Sequence, residues 1–249
     1  APASIMVTGS HNPKDDNGFK MVKNNAPFFG LMIQGLRKQI EEFNWPVLEI
    51  KDNYVQDCID LKEQYIDRIL LNRKISKNLK IAFDPANGAA GELVSILCRK
   101  LPCQTFIINE KIDGNFPGHD PDPTIPRNLD QLKNYVLENN CDVGIGFDGD
   151  ADRIGIITKK GVFVPGDQLL CLYAKDVISK SPGAKIIADI KASGVLFDYV
   201  KEIGGVPIMW KTGHSFIKAK IKESGAKLAG EMSGHIFFAD EYYGYDDGL

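Results

Sequence analysis

Three aspartates stand at alternate positions in the stretch GFDGDADRIG, separated by one glycine and one alanine: Asp148, Asp150 and Asp152. Carboxylates crowded in this way repel one another unless a cation lies among them. Their oxygens are ligands that Mg²⁺ and Ca²⁺ prefer, and three protein ligands leave coordination positions open for a phosphate oxygen. Arg153 follows directly and is suited to holding a phosphate. The stretch predicts a Mg²⁺ loop that handles phosphate, whereas the simpler interpretation is a solvated acidic turn.

Two other motifs match part of this stretch, but the residues around it do not fit either motif. An EF-hand loop counted from Asp148 needs Gly at its sixth position and Glu at its twelfth, where Arg153 and Lys159 stand. The letters GIGFDG spell the G-x-G-x-x-G of dinucleotide-binding proteins. That motif needs a helix directly after its glycines, and here the strand pattern RIGIIT follows.

Further polar clusters stand between or after predicted strands. VTGSHNP holds Ser10, and by composition alone it reads as a turn. GEMSGH places Glu231 and Ser233 on one side of a strand end, an acceptor and a donor suited to sugar hydroxyls. WKTGHS and DIKASG follow two other strands. A lone Lys or His is more often a surface residue, but ligands of α/β sheets collect outside the carboxyl ends of strands.

Strand-length apolar runs alternate with helical patterns, which predicts an α/β fold. LKIAFDP, QTFIINE and CDVGIGF are predicted strands of a first module, with helices over GAAGELVSILCRKL and NLDQLKNYVLENN. A second module is predicted to begin with the strand GVFVP. The opening piece holds a strand GFKMV and a helix over LMIQGLRKQIEEF, and it is too small to bury a core alone. The predicted domains are 1–51, 52–158 and 159–249.

Composition limits the classes of function. The chain has 249 residues and a net charge of −3 without a basic block, so nucleic-acid binding has little support. Its apolar runs are too short to span a bilayer, and no signal peptide opens it. Five scattered cysteines without a CxxC pair predict a reduced, cytoplasmic protein with buried thiols. The chain starts without Met, and both ends are expected to be cut from something longer.

With these motifs in hand, the chain resembles the α-D-phosphohexomutase family, bacterial phosphomannomutase/phosphoglucomutase branch. TGSHNP is similar to the family's phosphoserine loop, DGDADR to its metal loop, KTGHS to its domain-three substrate segment and GEMSGH to its sugar-recognition loop. The four motifs stand in the family's order from Val7 onward. The resemblance implies consecutive αβα-layered domains with mixed sheets.

The resemblance also implies roles for residues at matching positions. Ser10 would be the phosphorylated serine, and its phosphate would join the three aspartates in holding Mg²⁺. His11 would flank Ser10, and Arg153 would orient it. Lys20 and His235 match positions that assist proton transfer. The implied substrate-binding residues are Lys191, Gly213, His214, Glu231, Met232, Ser233, Gly234 and His235.

The implied activity is that of an isomerase. It moves a phosphoryl group between O1 and O6 of mannose or glucose phosphates through a hexose 1,6-bisphosphate. Such catalysis is mainly positioning plus cationic stabilisation of the phosphoryl oxygens. In the family a fourth domain clamps the distal phosphate, and the first domain begins well before the phosphoserine loop. The chain is therefore expected to lack N-terminal and C-terminal parts of the same enzyme and to have little activity alone.

Two alternatives stay open. A sugar-phosphate and Mg²⁺-binding fragment without activity would carry the same motifs. A Mg²⁺-dependent phosphohydrolase with a carboxylate nucleophile would use DGD as its D-x-D, but it would place that motif after the first strand of a domain. It would also leave TGSHNP and GEMSGH unexplained.

Overall fold

The computed structural model describes residues 2–44, 46 and 59–249. Its strands are β1 (Ala3–Val7), β2 (Phe19–Lys23), β3 (Ala26–Pro27), β4 (Lys80–Asp84), β5 (Gln104–Ile107), β6 (Val143–Phe147), β7 (Ile154–Thr158), β8 (Phe163–Val164), β9 (Lys185–Asp189), β10 (Val206–Trp210), β11 (Leu228–Gly230) and β12 (Ile236–Phe238). Its helices are α1 (Leu31–Glu42), α2 (Lys62–Leu70), α3 (Gly91–Lys100), α4 (Asp130–Glu138), α5 (Gly166–Lys180), α6 (Gly194–Glu202) and α7 (His214–Ser224). A 3₁₀ turn, Pro126–Leu129, leads into α4.

A five-stranded mixed sheet forms the centre of the first module. Its order is β5-β4-β6-β7-β8. Strands β5, β4 and β6 run parallel, β7 runs antiparallel to β6, and β8 runs antiparallel to β7. Side chains alternate across a strand. Ile81 and Phe83 therefore pack with α2 and α3 on one face, while Ala82 packs with Leu132 of α4 on the other. The sheet is covered by helices on both faces.

A four-stranded mixed sheet repeats this arrangement in the second module. Its order is β10-β9-β11-β12, with only β12 antiparallel. Ile186 and Ala188 face α5 and α6, and Ile187 faces α7. The Ser193 hydroxyl caps α6 by accepting from the Val195 N–H at 3.2 Å. The predicted fold, with successive αβα-layered mixed-sheet domains, is confirmed.

The opening piece packs loosely within the described chain. Strands β1, β2 and β3 form a small antiparallel sheet, and α1 follows as predicted. No residue of 2–44 is buried, and Ile5, Val7 and Phe19 are each more than 60% exposed. This agrees with the expectation that the piece cannot bury a core alone.

One element prediction is wrong. GVFVP was assigned to the second module, but β8 pairs with β7 in the five-stranded sheet. The reason is a tight hairpin, in which Gly161 takes a φ of 72° and the Thr158 N–H donates to the Val162 carbonyl at 2.9 Å.

Other predictions fall outside the described residues or are corrected in detail. The boundary between residues 51 and 52 and the thiol of Cys58 lie outside them. Of the described cysteines, Cys141 is buried, whereas Cys98, Cys103 and Cys171 are only half-buried, so the expectation of buried thiols is wrong for those three. Within the described residues we find no helix with the length and hydropathy of a membrane span.

Candidate active site

Ser10 lies in a tight loop between β1 and β2. The Thr8 N–H donates to the Gly18 carbonyl at 3.0 Å and closes the loop, and the Asn12 N–H donates to the Gly9 carbonyl at 2.9 Å. Ser10 adopts a φ of 53°, a left-handed conformation that is costly for a residue with a side chain. Its N–H donates to the Thr8 hydroxyl oxygen at 2.8 Å, which holds this conformation. The predicted turn is present, and it keeps a strained serine in place.

The three aspartates lie on the loop that joins the antiparallel strands β6 and β7. Asp148 is completely buried, and its Oδ1 accepts from the Arg153 N–H at 3.1 Å. Ala151 takes a φ of 60°, so the chain turns sharply around the Asp148 carboxylate. One side-chain oxygen from each of Asp148, Asp150 and Asp152 lies within 4.8 Å of the other two. The loop therefore brings the three carboxylates together as predicted.

The loop between β1 and β2 that holds Ser10 (the serine loop) contacts the loop between β6 and β7 that holds the three aspartates (the metal loop). The two loops are far apart in sequence. The Ser10 hydroxyl donates to Asp148 Oδ2 at 3.1 Å, and the Thr8 hydroxyl donates to Asp150 Oδ2 at 2.8 Å. The Ser10 carbonyl also lies against Gly149, where a Cβ atom would come within 2.2 Å of its oxygen. Ser10 is thus within one hydrogen bond of the aspartate cluster.

Lys20, on β2, supplies a cation to this cluster. Its Nζ lies 2.7 Å from Asp150 Oδ2 and also contacts Asp152 Oδ2. Burial lowers the pKa of Lys20, but the neighbouring Asp152 and Asp150 carboxylates raise it by more, so the pKa lies above its usual value. Asp150 Oδ1 is buried without a hydrogen-bond partner, and Asp152 Oδ1 is buried with only the ion-pair contact to His235 Nε2 at 3.2 Å. Unsatisfied carboxylate oxygens of this kind fit the hard-oxygen set that binds Mg²⁺, so the triad could hold a metal ion.

The charges of the cluster depend strongly on one another. Burial raises the pKa of Asp148, and repulsion from Asp152 and Asp150 raises it further. Burial would also raise the pKa of Asp152, but hydrogen bonds and attraction from His235 and Lys20 lower it well below its usual range. A divalent cation would relieve the repulsion among the three carboxylates.

His235 connects the metal loop to the GEMSGH segment. Its Nε2 lies 3.2 Å from Asp152 Oδ1, and its Nδ1 lies 3.3 Å from Glu231 Oε2 and 2.9 Å from the Ser233 hydroxyl. The Ile154 N–H donates to the Gly234 carbonyl at 3.1 Å, which ties the two segments by their backbones. Burial lowers the pKa of His235, but the carboxylates around it raise it to about 9. The imidazole is therefore charged at neutral pH.

Glu231 is turned inward in this structure. It is 2% exposed, its Oε2 faces His235, and its Oε1 accepts from the Gly213 N–H. Both carboxylate oxygens therefore have protein partners, and Glu231 connects the KTGHS and GEMSGH segments. Its binding of sugar hydroxyls stays a prediction.

Three residues that the sequence analysis did not assign also belong to this cluster. Thr8 links the serine loop to Asp150, as described above. Asp246 Oδ1 lies 2.8 Å from Lys218 Nζ, and Asp246 Oδ2 lies 3.3 Å from His214 Nδ1. The TGSHNP motif could have pointed to Thr8. Lys218 and Asp246 stand outside every motif and become visible only through the fold.

Of the remaining predicted residues, some contact the cluster and others do not. His11 Nδ1 lies 3.2 Å from the Ser10 hydroxyl, and burial together with the charge of Arg153 lowers its pKa. Arg153 Nε lies 3.8 Å from Asp148 Oδ2. Met232 contributes its N–H to Asp189 Oδ1 at 3.2 Å. Lys191 is exposed at the turn after β9 and takes no part in the cluster's hydrogen bonds or ion pairs among the described residues.

A cavity of about 1330 Å³ touches the cluster from the side of β1–β3 and α7. Lys20, Asp150, Asp152 and Asp246 form its polar end, and apolar residues of the opening piece form much of the rest. Ser10 is not among the residues that line it, so we do not place a substrate there.

Comparison with protein families gives three matches along the chain. A family model described as phosphoglucomutase/phosphomannomutase, alpha/beta/alpha domain I matches residues 1–45. The corresponding models for domain II and domain III match residues 63–161 and 165–249.

Curated relatives match nearly the whole chain. A phosphomannomutase/phosphoglucomutase of Pseudomonas aeruginosa is 44% identical over 247 residues, which cover 99% of this chain and 52% of that protein. A phosphoglucomutase of Neisseria meningitidis is 41% identical over 247 residues, covering 99% of this chain and 53% of that protein. The chain therefore spans about half the length of the curated relatives it matches.

Solved structures agree with these matches. A phosphoglucomutase/phosphomannomutase family protein from Burkholderia thailandensis superposes with a TM-score of 0.90 at 45% identity, covering 99% of this chain and 53% of that one. A structure described as a phosphomannomutase from Thermus thermophilus superposes with a TM-score of 0.87 at 22% identity, which is a likeness of fold.

Proposed function

This chain belongs to the phosphoglucomutase/phosphomannomutase family, and from that premise we propose that its parent protein interconverts hexose 1-phosphates and 6-phosphates of glucose, mannose or both. The observation that carries the proposal is the contact between the Ser10 hydroxyl and Asp148, 3.1 Å across two loops that lie 138 residues apart. A nucleophile held against a metal-binding carboxylate cluster is the arrangement that phosphoryl transfer needs.

We propose that Ser10 gives its phosphoryl group to the free sugar hydroxyl and takes back the other one from a hexose 1,6-bisphosphate. Asp148, Asp150 and Asp152 would hold Mg²⁺. When bound, the ion would neutralise charge on the transferred phosphoryl oxygens. His11 and Arg153 flank the serine side, where Arg153 is positioned by its N–H bond to Asp148. Their cationic or donor groups would orient the phosphoserine.

Proton transfer at the sugar hydroxyls falls to Lys20 and His235 in this proposal. Both lie within reach of Asp152, so the acid and base stand at one edge of the carboxylate cluster. His235 is charged at neutral pH because of its carboxylate neighbours. It can therefore supply a proton to a leaving oxygen. Lys20 would accept a proton only in its neutral form, which would be favoured if the carboxylates that raise its pKa held Mg²⁺ instead.

Substrate recognition is proposed for the segments that end β9, β10 and β11. His214 and Ser233 are half-buried beside His235 and would contact the sugar phosphate, while the exposed Lys191 would reach it from the first of these segments. Gly213 and Gly234 would let the ligand approach the backbone, and Met232, between Glu231 and Ser233, would line the same site. We expect the whole protein to act in the cytoplasm.

The test measures Ser10 phosphorylation by mass spectrometry, together with conversion of glucose 1-phosphate in the presence of glucose 1,6-bisphosphate and Mg²⁺. Ser10→Ala in the natural full-length protein should abolish both. A variant that retains mutase turnover would refute the phosphoserine mechanism. The same assay on the 249-residue chain tests the expectation that it has little activity by itself. Release of inorganic phosphate without isomerisation would favour the phosphohydrolase alternative.

A further inference from the structure

Asp246 is a buried carboxylate in a segment that none of the sequence motifs includes. It follows β12 and returns to it through a backbone bridge to Phe237. Its side chain is only 6% exposed, and its Oδ2 atom lacks a hydrogen-bond partner within ordinary geometry. A buried charge of this kind is costly unless nearby cations compensate it.

The groups that face Asp246 come from two different elements. Lys218, on α7, lies 2.8 Å from Asp246 Oδ1. The other oxygen, Oδ2, faces two imidazoles: His214 Nδ1 lies 3.3 Å away and His235 Nε2 lies 3.8 Å away. One carboxylate therefore reaches both rings while a lysine holds its opposite edge.

The two imidazoles that Asp246 reaches are stacked on each other. The ring centroids of His214 and His235 lie 5.7 Å apart, and their planes differ by 16°. A carboxylate oxygen that faces a nitrogen of each ring can fix the two rings relative to one another. Asp152 contacts only one of the two rings, that of His235, at 3.2 Å. Among the described contacts, Asp246 is therefore the carboxylate that both rings share.

We propose that Asp246 is a positioning residue that holds the His214 and His235 rings at a fixed separation. Substrate contact by His214 and proton transfer by His235 then occur at a fixed distance from each other. This inference rests on the proposed mutase function for its consequence in catalysis. The geometry itself concerns only side chains of this chain. Removing the charge of Asp246 would release His214 and reorient the Nε2 edge of His235.

The adjacent Asp247 provides a matched control. It is a half-buried carboxylate, but its Oδ1 accepts from the Tyr65 hydroxyl at 2.7 Å and its Oδ2 accepts from the Tyr242 hydroxyl at 2.9 Å. Neither oxygen contacts an imidazole in the described contacts. Asp247→Asn therefore tests the loss of a hydrogen-bonded carboxylate in the same segment without disturbing the two rings.

The first experiment compares Asp246→Asn with Asp247→Asn in the natural full-length protein. We expect Asp246→Asn to lower kcat at least about tenfold, part of what a positioned acid or base contributes, while KM changes less than about threefold. We expect Asp247→Asn to lower the melting temperature and to keep kcat within about twofold. An Asp246→Asn protein with wild-type kcat would overturn the proposal.

The second readout does not depend on activity. The 249-residue chain has four histidines, so NMR spectra of its imidazole Cε1–H groups should show four signals. Asp246→Asn should move the signals of His214 and His235 and leave those of His11 and His119 in place. Asp247→Asn should move none of the four. Unchanged His214 and His235 signals in Asp246→Asn would also overturn the proposal.

The two readouts separate this inference from the proposed function. Absence of mutase turnover in the wild type would refute the function, and the imidazole spectra would then decide by themselves whether Asp246 positions the rings. If Asp246→Asn does not fold, Lys218→Met releases the other edge of Asp246. Lys218 Nζ also lies 3.0 Å from His214 Nδ1, so the His235 signal is the one that reports on Asp246 in this variant. The His235 signal should move, and an unchanged His235 signal would refute the positioning role.

Discussion

Gly149, between Asp148 and Asp150, is the point where the metal loop touches the serine loop. A Cβ atom at this position would lie 2.2 Å from the Ser10 carbonyl oxygen. The metal loop is held from its other side, because the Ala89 N–H donates to the Gly149 carbonyl at 2.8 Å. We therefore expect Gly149→Ala to displace the serine loop rather than the metal loop.

The size of this displacement follows from the contact distances. Moving the Ser10 oxygen from 2.2 Å to the 3.4 Å of ordinary van der Waals contact requires about 1.2 Å. The Ser10 hydroxyl lies 3.1 Å from Asp148 Oδ2, so a shift of this size breaks that hydrogen bond. A misplacement of about 1 Å can cost about 100-fold in rate, and we expect kcat to fall by that order.

The assay is mutase turnover of the natural full-length protein at saturating Mg²⁺, accompanied by a crystal structure of the variant. Gly194→Ala is the matched control, because a Cβ atom there meets nothing within 4 Å at the start of α6. It should keep wild-type turnover and be slightly more stable, by about 0.4–1 kcal/mol. Wild-type turnover in Gly149→Ala, or an unchanged Ser10–Asp148 distance, would refute this reasoning.

Three further predictions test the metal site, a buried ion pair and the core. Asp150→Asn should raise the Mg²⁺ concentration needed for half-maximal turnover, because it removes a charged ligand; an unchanged Mg²⁺ titration would contradict the metal assignment. Burial lowers the pKa of His119, but its contact with the buried Asp84 carboxylate, 3.0 Å away, raises it overall. The pair therefore stabilises the fold below about pH 6.5 and loses this effect as pH rises through the folded pKa. Urea unfolding should then show a larger cost of His119→Asn at pH 5.5 than at pH 8.5, and an equal cost would argue against the pair. Leu132→Ala removes a fully buried side chain between α4 and the five-stranded sheet. It should lower the free energy of unfolding by about 2–5 kcal/mol, measured by the same urea titration, and a loss below about 1 kcal/mol would contradict the packing.

The positions of the main helices and strands could be predicted from the sequence, because periodicity records which side chains face a core. LKIAFDP is a strand with Ile81 and Phe83 on one face and Ala82 on the other, as alternation requires. GVFVP was placed in the wrong sheet, because a two-residue strand has no periodicity of its own. Its partner was set by the hairpin at Gly161, whose φ of 72° the sequence only suggests.

Some residues of the candidate site could likewise be identified from the sequence, and others could not. Asp148, Asp150 and Asp152 could be identified from sequence, because three carboxylates at alternate positions after an apolar strand already need a cation. Nothing local distinguishes Ser10 from an ordinary turn serine. Its contact with Asp148 spans 138 residues, and it exists because the β1–β2 loop packs against Gly149.

The sequence by itself therefore determined the layered α/β class, the acidic loop and the residue types of the proposed phosphoryl-transfer site, since each of these follows from local spacing. Only the tertiary structure decided which of those residues meet. It turned Glu231 inward toward Gly213 and His235, left Lys191 exposed, and brought Asp246 against two stacked imidazoles. The physical reason is that hydrogen bonds and ion pairs act over a few ångströms of space, whereas a sequence records only neighbours along the chain.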